Sequence, residues 1–253
     1  MKAALKSLFR SIGIEVRRAP VPPAPGSSKR PIAQIRAFLE DIKARGFFPR
    51  GIVDVGANRG SWTRMARTIF PGVPVLMIEP QDEMEPRLSG LTAEIPACYY
   101  VKAAAGREEG ELIQTIWDDL EGSSFLPQPD PEQLKRGRQR KTKVTTIDRL
   151  LAGSYANFHP DLVKLDVQGF ELEALCGGQI LFGTTEMFIL ETSLFEFEPR
   201  MPITREVIAF MSGRGYELYD ITEYLRRPYD GALGQVDLAF VKSHGIFRSS
   251  SAW

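Results

Sequence analysis

The chain has 253 residues, 43% of them hydrophobic and 25% charged, with 32 basic residues balancing 32 acidic ones. That length holds one large α/β domain or two small ones, and the balanced charge excludes a global field that would recruit nucleic acid, so an electrostatic partner has to be met by a local patch. Two histidines, His159 and His244, argue against a multi-histidine metal site, and Cys98 and Cys176 have neither metal nor redox spacing, which suits buried free thiols in a reducing, cytoplasmic compartment.

From Met1 to Arg18, Lys2, Lys6, Arg10, Arg17 and Arg18 alternate with Leu5, Leu8, Phe9, Ile12 and Ile14, the pattern of a short basic amphipathic helix. Lys6 and Arg10 interrupt any secretory apolar core. The helix suits either a weak peripheral contact with a membrane surface or packing on its own domain. No run in the chain reaches the length of a bilayer span. The proline-rich run from Ala19 to Ser28 reads as a linker. The expected organisation is therefore an N-terminal segment over 1–30 and one folded domain over 31–245.

Pro31 opens a predicted helix to about Arg45, with Ile35, Phe38, Leu39 and Ile42 on one face and Gly46 ending it. The stretch that follows, Ile52-Val53-Asp54-Val55-Gly56-Ala57-Asn58-Arg59-Gly60-Ser61, reads as buried strand, tight turn and helix. Gly56 and Gly60 let a ligand lie against bare peptide while the helix N-terminus offers unpaired N–H donors. A dinucleotide fingerprint would be G-x-G-x-x-G. Here there are two glycines with an acid ahead of them, which suits a positively charged nucleoside such as S-adenosylmethionine and repels a pyrophosphate.

The helix is expected to run to about Phe70, and Val73 to Glu79 to form a second strand. Glu79, about twenty residues beyond the glycine turn, is placed to accept hydrogen bonds from ribose hydroxyls. A helix from about Glu83 to Leu88 and a strand from Ala97 to Val101 lead into Ala103-Ala104-Ala105-Gly106, whose small side chains leave room for an adenine near Ala103 and Ala104, or simply make a tight turn. Glu111 to Trp117 and Lys143 to Ile147 alternate like strands of an antiparallel extension. The loop between them carries Lys135, Arg136, Arg138, Arg140, Lys141 and Lys143, either a solvated surface or a clamp for an anionic acceptor.

Asp161 to Asp166 is a fourth buried strand, opening through Gly169 into a helix. In a doubly wound sheet, ligands bind at the switch point outside the strands' carboxyl ends, so Asp54 and Asp166 are expected to flank one crevice. Met187 to Glu191 is a fifth strand ending in another acid. Pro202 to Gly213 is a helix, and Glu217 to Ile221 with Val236 to Val241, joined by a loop from Tyr224 to Gly234, fits a C-terminal antiparallel hairpin. The fold class is α/β: a mostly parallel seven-stranded sheet with helices on both faces.

Taken together, D-V-G-A-N-R-G at 54–60, Glu79-Pro80, Ala103-Ala104, Thr146-Ile147-Asp148, L-D-V-Q-G-F-E-L-E-A-L at 165–175 and Ile189-Leu190-Glu191 resemble the FkbM family of S-adenosylmethionine-dependent methyltransferases over roughly residues 50–242. The resemblance implies a Rossmann-like class I methyltransferase fold and O-methylation of a hydroxyl on a sugar, glycan or related secondary metabolite. It implies that Asp54, Gly56, Ala57, Asn58, Gly60 and Glu79 hold the cofactor and that Asp166 stands near the methyl donor. Many members have Glu where this chain has Gln168.

A sugar hydroxyl is a poor nucleophile until it loses its proton, and clustered acids raise one carboxylate pKa toward a useful value. Asp166 or Glu191 is the expected base, with cofactor orientation or helix capping the other role open to Asp166. Glu171 fits a helix N-terminal acid equally well, and nothing in the spacing demands a metal. Exposed Trp117, Phe125, Phe195, Phe197 and Tyr224 are candidates for the acceptor pocket, or core residues. Nucleic-acid methylation is disfavoured by the neutral charge, and a nicotinamide dehydrogenase by the missing third glycine. A non-catalytic adenosyl-binding or assembly module of the same fold is the alternative.

Overall fold

The computed structural model describes residues 30–251, so the expected basic helix of Met1–Arg18 and the proline-rich linker of Ala19–Ser28 lie outside the described residues. In chain order the elements are α1 (Ile35–Ala44), β1 (Ile52–Val55), α2 (Ser61–Ile69), β2 (Val75–Ile78), α3 (Glu85–Glu94), β3 (Cys98–Val101), β4 (Ala104–Ala105), β5 (Gly110–Thr115), α4 (Pro131–Lys135), β6 (Gln139–Thr145), α5 (Ile147–Ala152), β7 (Leu162–Leu165), α6 (Glu171–Cys176), β8 (Met187–Ser193), α7 (Thr204–Ser212), β9 (Tyr216–Arg226) and β10 (Leu233–Lys242). The main sheet has seven strands in the order β3-β2-β1-β7-β8-β10-β9. Its first five spatial neighbours run parallel, and β9–β10 is the antiparallel hairpin at the edge.

Strand parity explains why this sequence makes a sheet covered on both faces. Successive side chains in a strand point to opposite faces. Ile52, Val75, Met77, Leu162, Met187 and Ile189 pack with Phe38, Leu39 and Ile42 of α1, Ala66 and Ile69 of α2, and Leu88 and Leu91 of α3. Val53, Val55, Leu76, Ile78, Val163, Leu165, Phe188 and Leu190 pack the other way, against Ile147 and Leu151 of α5, Leu175 of α6, and Val207 and Met211 of α7. The strands are therefore apolar on both sides, as parallel strands in α/β domains are.

Several boundaries differ from expectation. The first helix starts at Ile35, because residues 31–34 form a turn in which Ala33 has φ +56°. The third, expected to stop near Leu88, continues to Glu94, since Leu88 and Leu91 are both drawn into the core. Strand β8 passes through Glu191 to Ser193, so that carboxylate lies within the strand and not at its tip. The hairpin strands absorb both ends of the expected Tyr224–Gly234 loop, through Arg226 on one side and from Leu233 on the other. The basic run at 135–143 is the end of α4, a turn and most of β6, and not a loop. Strand β6 pairs antiparallel with β5 and parallel with β4 in a second, three-stranded sheet. Cys98 is buried and Cys176 only partly so; both are free.

Candidate active site

Strands β1 and β7 are parallel neighbours whose following chains leave in different directions, and the crevice opens beyond their carboxyl ends. It is a cavity of about 520 Å³, within the usual range of roughly 300–1,000 Å³ for small-molecule sites.

Gly56 and the chain after β7 make its floor. Gly56 has φ +75°, and a Cβ added there would meet the Asp166 carbonyl oxygen at 1.8 Å, so two strand-tip turns touch through bare backbone. Gly60, also at φ +75°, caps α2, and a Cβ there would meet Leu91 Cδ2 at 2.8 Å. Gly60 thus lets α3 close on the turn and does not line the cavity. Between them, Gly56, Ala57 and Asn58 line it.

Glu79 follows β2 and faces the same turn. Its Oε2 accepts the Asn58 N–H at 2.9 Å and its Oε1 the Gln81 N–H at 2.9 Å. Burial pushes its pKa above the ordinary value, against those two backbone donors. Each oxygen keeps a further lone pair for a ligand hydroxyl. Ala104 lines the cavity with Ala105, whereas Ala103 is buried outside it.

A charged cluster fills the centre. Asp54, Lys164, Asp166, Glu191 and Asp237 share the strand parity of the α1–α3 face, where the neighbouring positions are apolar. Asp54 is fully buried beneath the cavity wall and does not line it; its Oδ2 accepts from Thr63 Oγ1 at 2.6 Å, and its Oδ1 lies 3.9 Å from Lys164 Nζ. Burial raises its pKa, against Lys164 and Thr63. Lys164 donates to Asp166 Oδ2 at 3.0 Å. Burial disfavours the ammonium, but the carboxylates of Asp166, Asp54 and Asp237 outweigh it and hold its pKa above the ordinary lysine value. Burial likewise opposes ionisation of Asp166, but Lys164 beside it and the Gln168 amide hold its pKa below the usual value.

Glu191 behaves in the opposite sense. Burial first, then the charges of Asp166, Glu171 and Asp237, push it well above the carboxylate range. Gln168, in a left-handed conformation at φ +55°, joins the pair: its Nε2 donates to Asp166 Oδ1 at 3.0 Å and to Glu191 Oε2 at 2.7 Å. Asp237 sits opposite Glu191 across the β8–β10 pairing, its pKa pushed up to about 7 by burial and then by Asp166. Glu171 also reaches about 7 through burial, although its Oε1 accepts the Val167 and Gly169 N–H groups. It supports the turn after β7 from within.

The outer wall is residues 119–125, held by Gln81 Nε2 donating to Leu120 O at 3.0 Å, Ser124 Oγ donating to Gln168 O at 2.8 Å, and an Arg59–Glu121 ion pair at 3.0 Å. Of the five candidate acceptor aromatics only Phe125 lines the cavity. No member of the basic run at 135–143 does, and Lys135, Arg138, Arg140 and Lys141 each face a carboxylate elsewhere. Among the described residues no group of His, Cys, Asp or Glu is arranged to hold a metal ion, and no helix is long and apolar enough to cross a membrane.

Sequence reasoning passed over Lys164, Gln81 and Asp237. The signal for Lys164 was present: it is the one charged residue inside Leu162–Leu165, at the parity of Asp166.

The sheet order and the crevice at its switch point are those of the Rossmann-like class I methyltransferase fold. The methyltransferase FkbM domain matches residues 54–218, and the chain belongs to that family. No curated protein matches the chain. Among solved structures it is similar to the methyltransferase FkbM from Methylobacillus flagellatus KT, at 16% identity and TM-score 0.49 over 75% of this chain; it spans 43% of the length of that protein. It is also similar to a precorrin-6y C5,15-methyltransferase from Geobacter metallireducens GS-15 (15% identity, TM-score 0.45, 82% of this chain and 86% of that one). A third is the Burkholderia thailandensis 1,6-didemethyltoxoflavin-N1-methyltransferase, solved with bound 1,6-didemethyltoxoflavin and S-adenosylhomocysteine (12% identity, TM-score 0.45, 96% of this chain and 88% of that one).

Proposed function

We propose that the protein is an S-adenosylmethionine-dependent O-methyltransferase acting on a hydroxyl of a sugar, glycan or related metabolite. The observation that carries this reading is the division between two bridged carboxylates in one crevice, Asp166 held ionised and Glu191 pushed toward proton uptake. Carboxyl pairs whose environments drive their pKa values apart are the usual basis of acid and base assignments.

The residues present fit the cofactor. Glu79, Asp119, Glu121, Asp166 and Glu191 line the cavity against only Arg59 and Lys164, an acid excess that favours a sulfonium and an ammonium and disfavours a pyrophosphate. Glu79 would hold the ribose hydroxyls; Gly56, Ala57 and Asn58 would offer backbone against the ligand; and Ala104 would leave space for the base. Asp54 would act from below, through Lys164. When bound, S-adenosylmethionine supplies an electrophilic methyl group on a sulfonium. The protein's part is to align the acceptor oxygen, exclude water and receive the hydroxyl proton. Glu191 would receive it at Oε1, since Gln168 engages Oε2. The same acid excess favours a neutral acceptor over an anionic one.

Titration calorimetry with S-adenosylmethionine, followed by a methyl-release assay over a panel of neutral and phosphorylated sugars, tests the reading. Binding with turnover on a neutral sugar is expected; binding without turnover on any hydroxyl acceptor would favour the non-catalytic alternative. At saturating cofactor, Glu191→Gln is expected to lose about 100-fold or more in turnover, and Asp166→Asn less.

A further inference from the structure

Two residues lining the crevice stand apart from the rest. All the others fall within the segment that the methyltransferase FkbM domain matches, 54–218, whereas Leu225 and Gln235 come from the β9–β10 hairpin beyond it and face each other across that hairpin. The sheet order sets Glu79 after β2 at one end of the crevice, Asp166 after β7 and Glu191 on β8 next, and the hairpin past Glu191 at the other end. Gln235 lies opposite Ser193, two residues along from the Asp237–Glu191 pair, so its side chain shares the face of Glu191. Diagonal neighbours in such a ladder are about 7–8 Å apart, a gap that one sugar ring spans. Strand β10 shifts register against β9 between Leu233 and Gln235 and again just after Asp237. Irregularities of this kind re-aim side chains beside a site. Gln235 is half-buried, and its amide makes no hydrogen bond among the described residues. Leu225 is 61% exposed. Both side chains are therefore open to a ligand that reaches Glu191 from the hairpin side.

We infer that Gln235 selects the acceptor: its amide hydrogen-bonds a second hydroxyl, one or two carbons from the oxygen that is methylated, while Leu225 packs against the ring that carries both. This rests on the proposed function, in which Glu191 receives the acceptor's proton. An amide offers both a donor and an acceptor, so it serves a hydroxyl in either orientation. It also adds no charge beside Glu191 and Asp237, whereas an anionic group on the acceptor at this end would face both acids. The substrate class is thus a neutral polyol with neighbouring hydroxyls, and a simple alcohol fills only half of the subsite.

The test is methyl-release kinetics on the full chain with the methyl α-D-pyranosides of glucose, mannose and galactose and their monodeoxy analogues, alongside calorimetry with S-adenosylhomocysteine. Wild type, Gln235→Met, which keeps the length of the side chain without its amide, and Gln235→Asn, which keeps the amide one methylene short, are compared. For the glycoside that the wild type uses best, Gln235→Met is expected to raise KM by about 3- to 10-fold, with a smaller change in kcat and the same S-adenosylhomocysteine affinity. One monodeoxy analogue should cost the wild type a similar factor and cost Gln235→Met nothing further, because the partner of that hydroxyl is already gone. An unchanged KM in Gln235→Met, a wild type indifferent to every deoxygenation, or a deoxy penalty equally large in the variant overturns the inference while leaving the proposed function intact. A wild type that binds S-adenosylhomocysteine but methylates none of the glycosides overturns the proposed function and this inference together. Gln235→Asn carries the same comparison if Gln235→Met does not fold.

Discussion

Lys164 lies directly across the β1–β7 pairing from Asp54, and both side chains are buried on the α1–α3 face, with Nζ 3.9 Å from Asp54 Oδ1. The same ammonium reaches 3.0 Å to Asp166 at the end of its own strand. One cation thus ties a carboxylate under the wall to a carboxylate in the cavity. Removing one partner of a buried charge cluster leaves the others uncompensated, typically at about 3–5 kcal/mol. Lys164→Met is expected to lose that much in urea unfolding, and adding Asp54→Asn to it should recover part of the loss. A single variant as stable as the wild type would show that Asp54 is already neutral when folded.

Glu171 gives the fold a pH dependence of unusual sign. Its folded pKa of about 7 lies above the ordinary value of 4.5, so the native state holds a proton that the unfolded chain releases. The resulting stabilisation is fully present below the ordinary carboxylate pKa and is lost as pH rises through about 7. A shift of that size is on the order of 3 kcal/mol. Asp237, also at about 7, contributes with the same sign. Unfolding free energies measured between pH 5 and 8 should fall with pH in the wild type and fall less in Glu171→Gln. An identical slope in the two proteins would remove Glu171 as a source.

Gln168 is the residue through which the site's proton affinity can be retuned. Its amide donates to Asp166 and Glu191 at once, whereas a carboxylate there would put a third negative charge between them and raise Glu191 further. A base must be deprotonated to act, so Gln168→Glu should move the acidic limb of the rate profile to higher pH and lower turnover at pH 7 by about 10-fold. S-adenosylhomocysteine affinity should change much less. An unshifted limb would separate Glu191 from proton removal.

Much of this was legible in the sequence because strand parity and glycine spacing are local properties. D-V-G-A-N-R-G located the turn, Glu79 the second strand tip, and Asp166 with Glu191 the crevice. What local pattern could not show was which way a polar residue turns once its neighbours arrive. Asp54 looked like a wall residue and lies beneath it, because Thr63 and Lys164 draw its carboxyl inward. Ala103 and Ala104 looked equivalent, but β4 begins at Ala104, and only that residue of the two lines the cavity. The basic run resembled a clamp, yet Arg138 and Arg140 find carboxylates on distant segments, Asp118 and Glu83. Such pairings depend on tertiary contacts that no window of sequence contains.

Gly56 and Gly46 separate two reasons for a glycine. Both have positive φ, +75° and +90°, but an added Cβ at Gly46 meets nothing within 4 Å, whereas at Gly56 it falls 1.8 Å from the Asp166 carbonyl oxygen. Gly46→Ala should therefore cost only the backbone strain of an L residue in that region, about 1–2 kcal/mol. Gly56→Ala has to push β1 and the β7 turn apart as well, so a loss above about 4 kcal/mol is expected. Because the displaced atom belongs to Asp166, any folded Gly56→Ala protein should also bind S-adenosylhomocysteine more weakly, while Gly46→Ala binds it normally. Equal stability losses at the two positions would mean that the turns after β1 and β7 are not in contact.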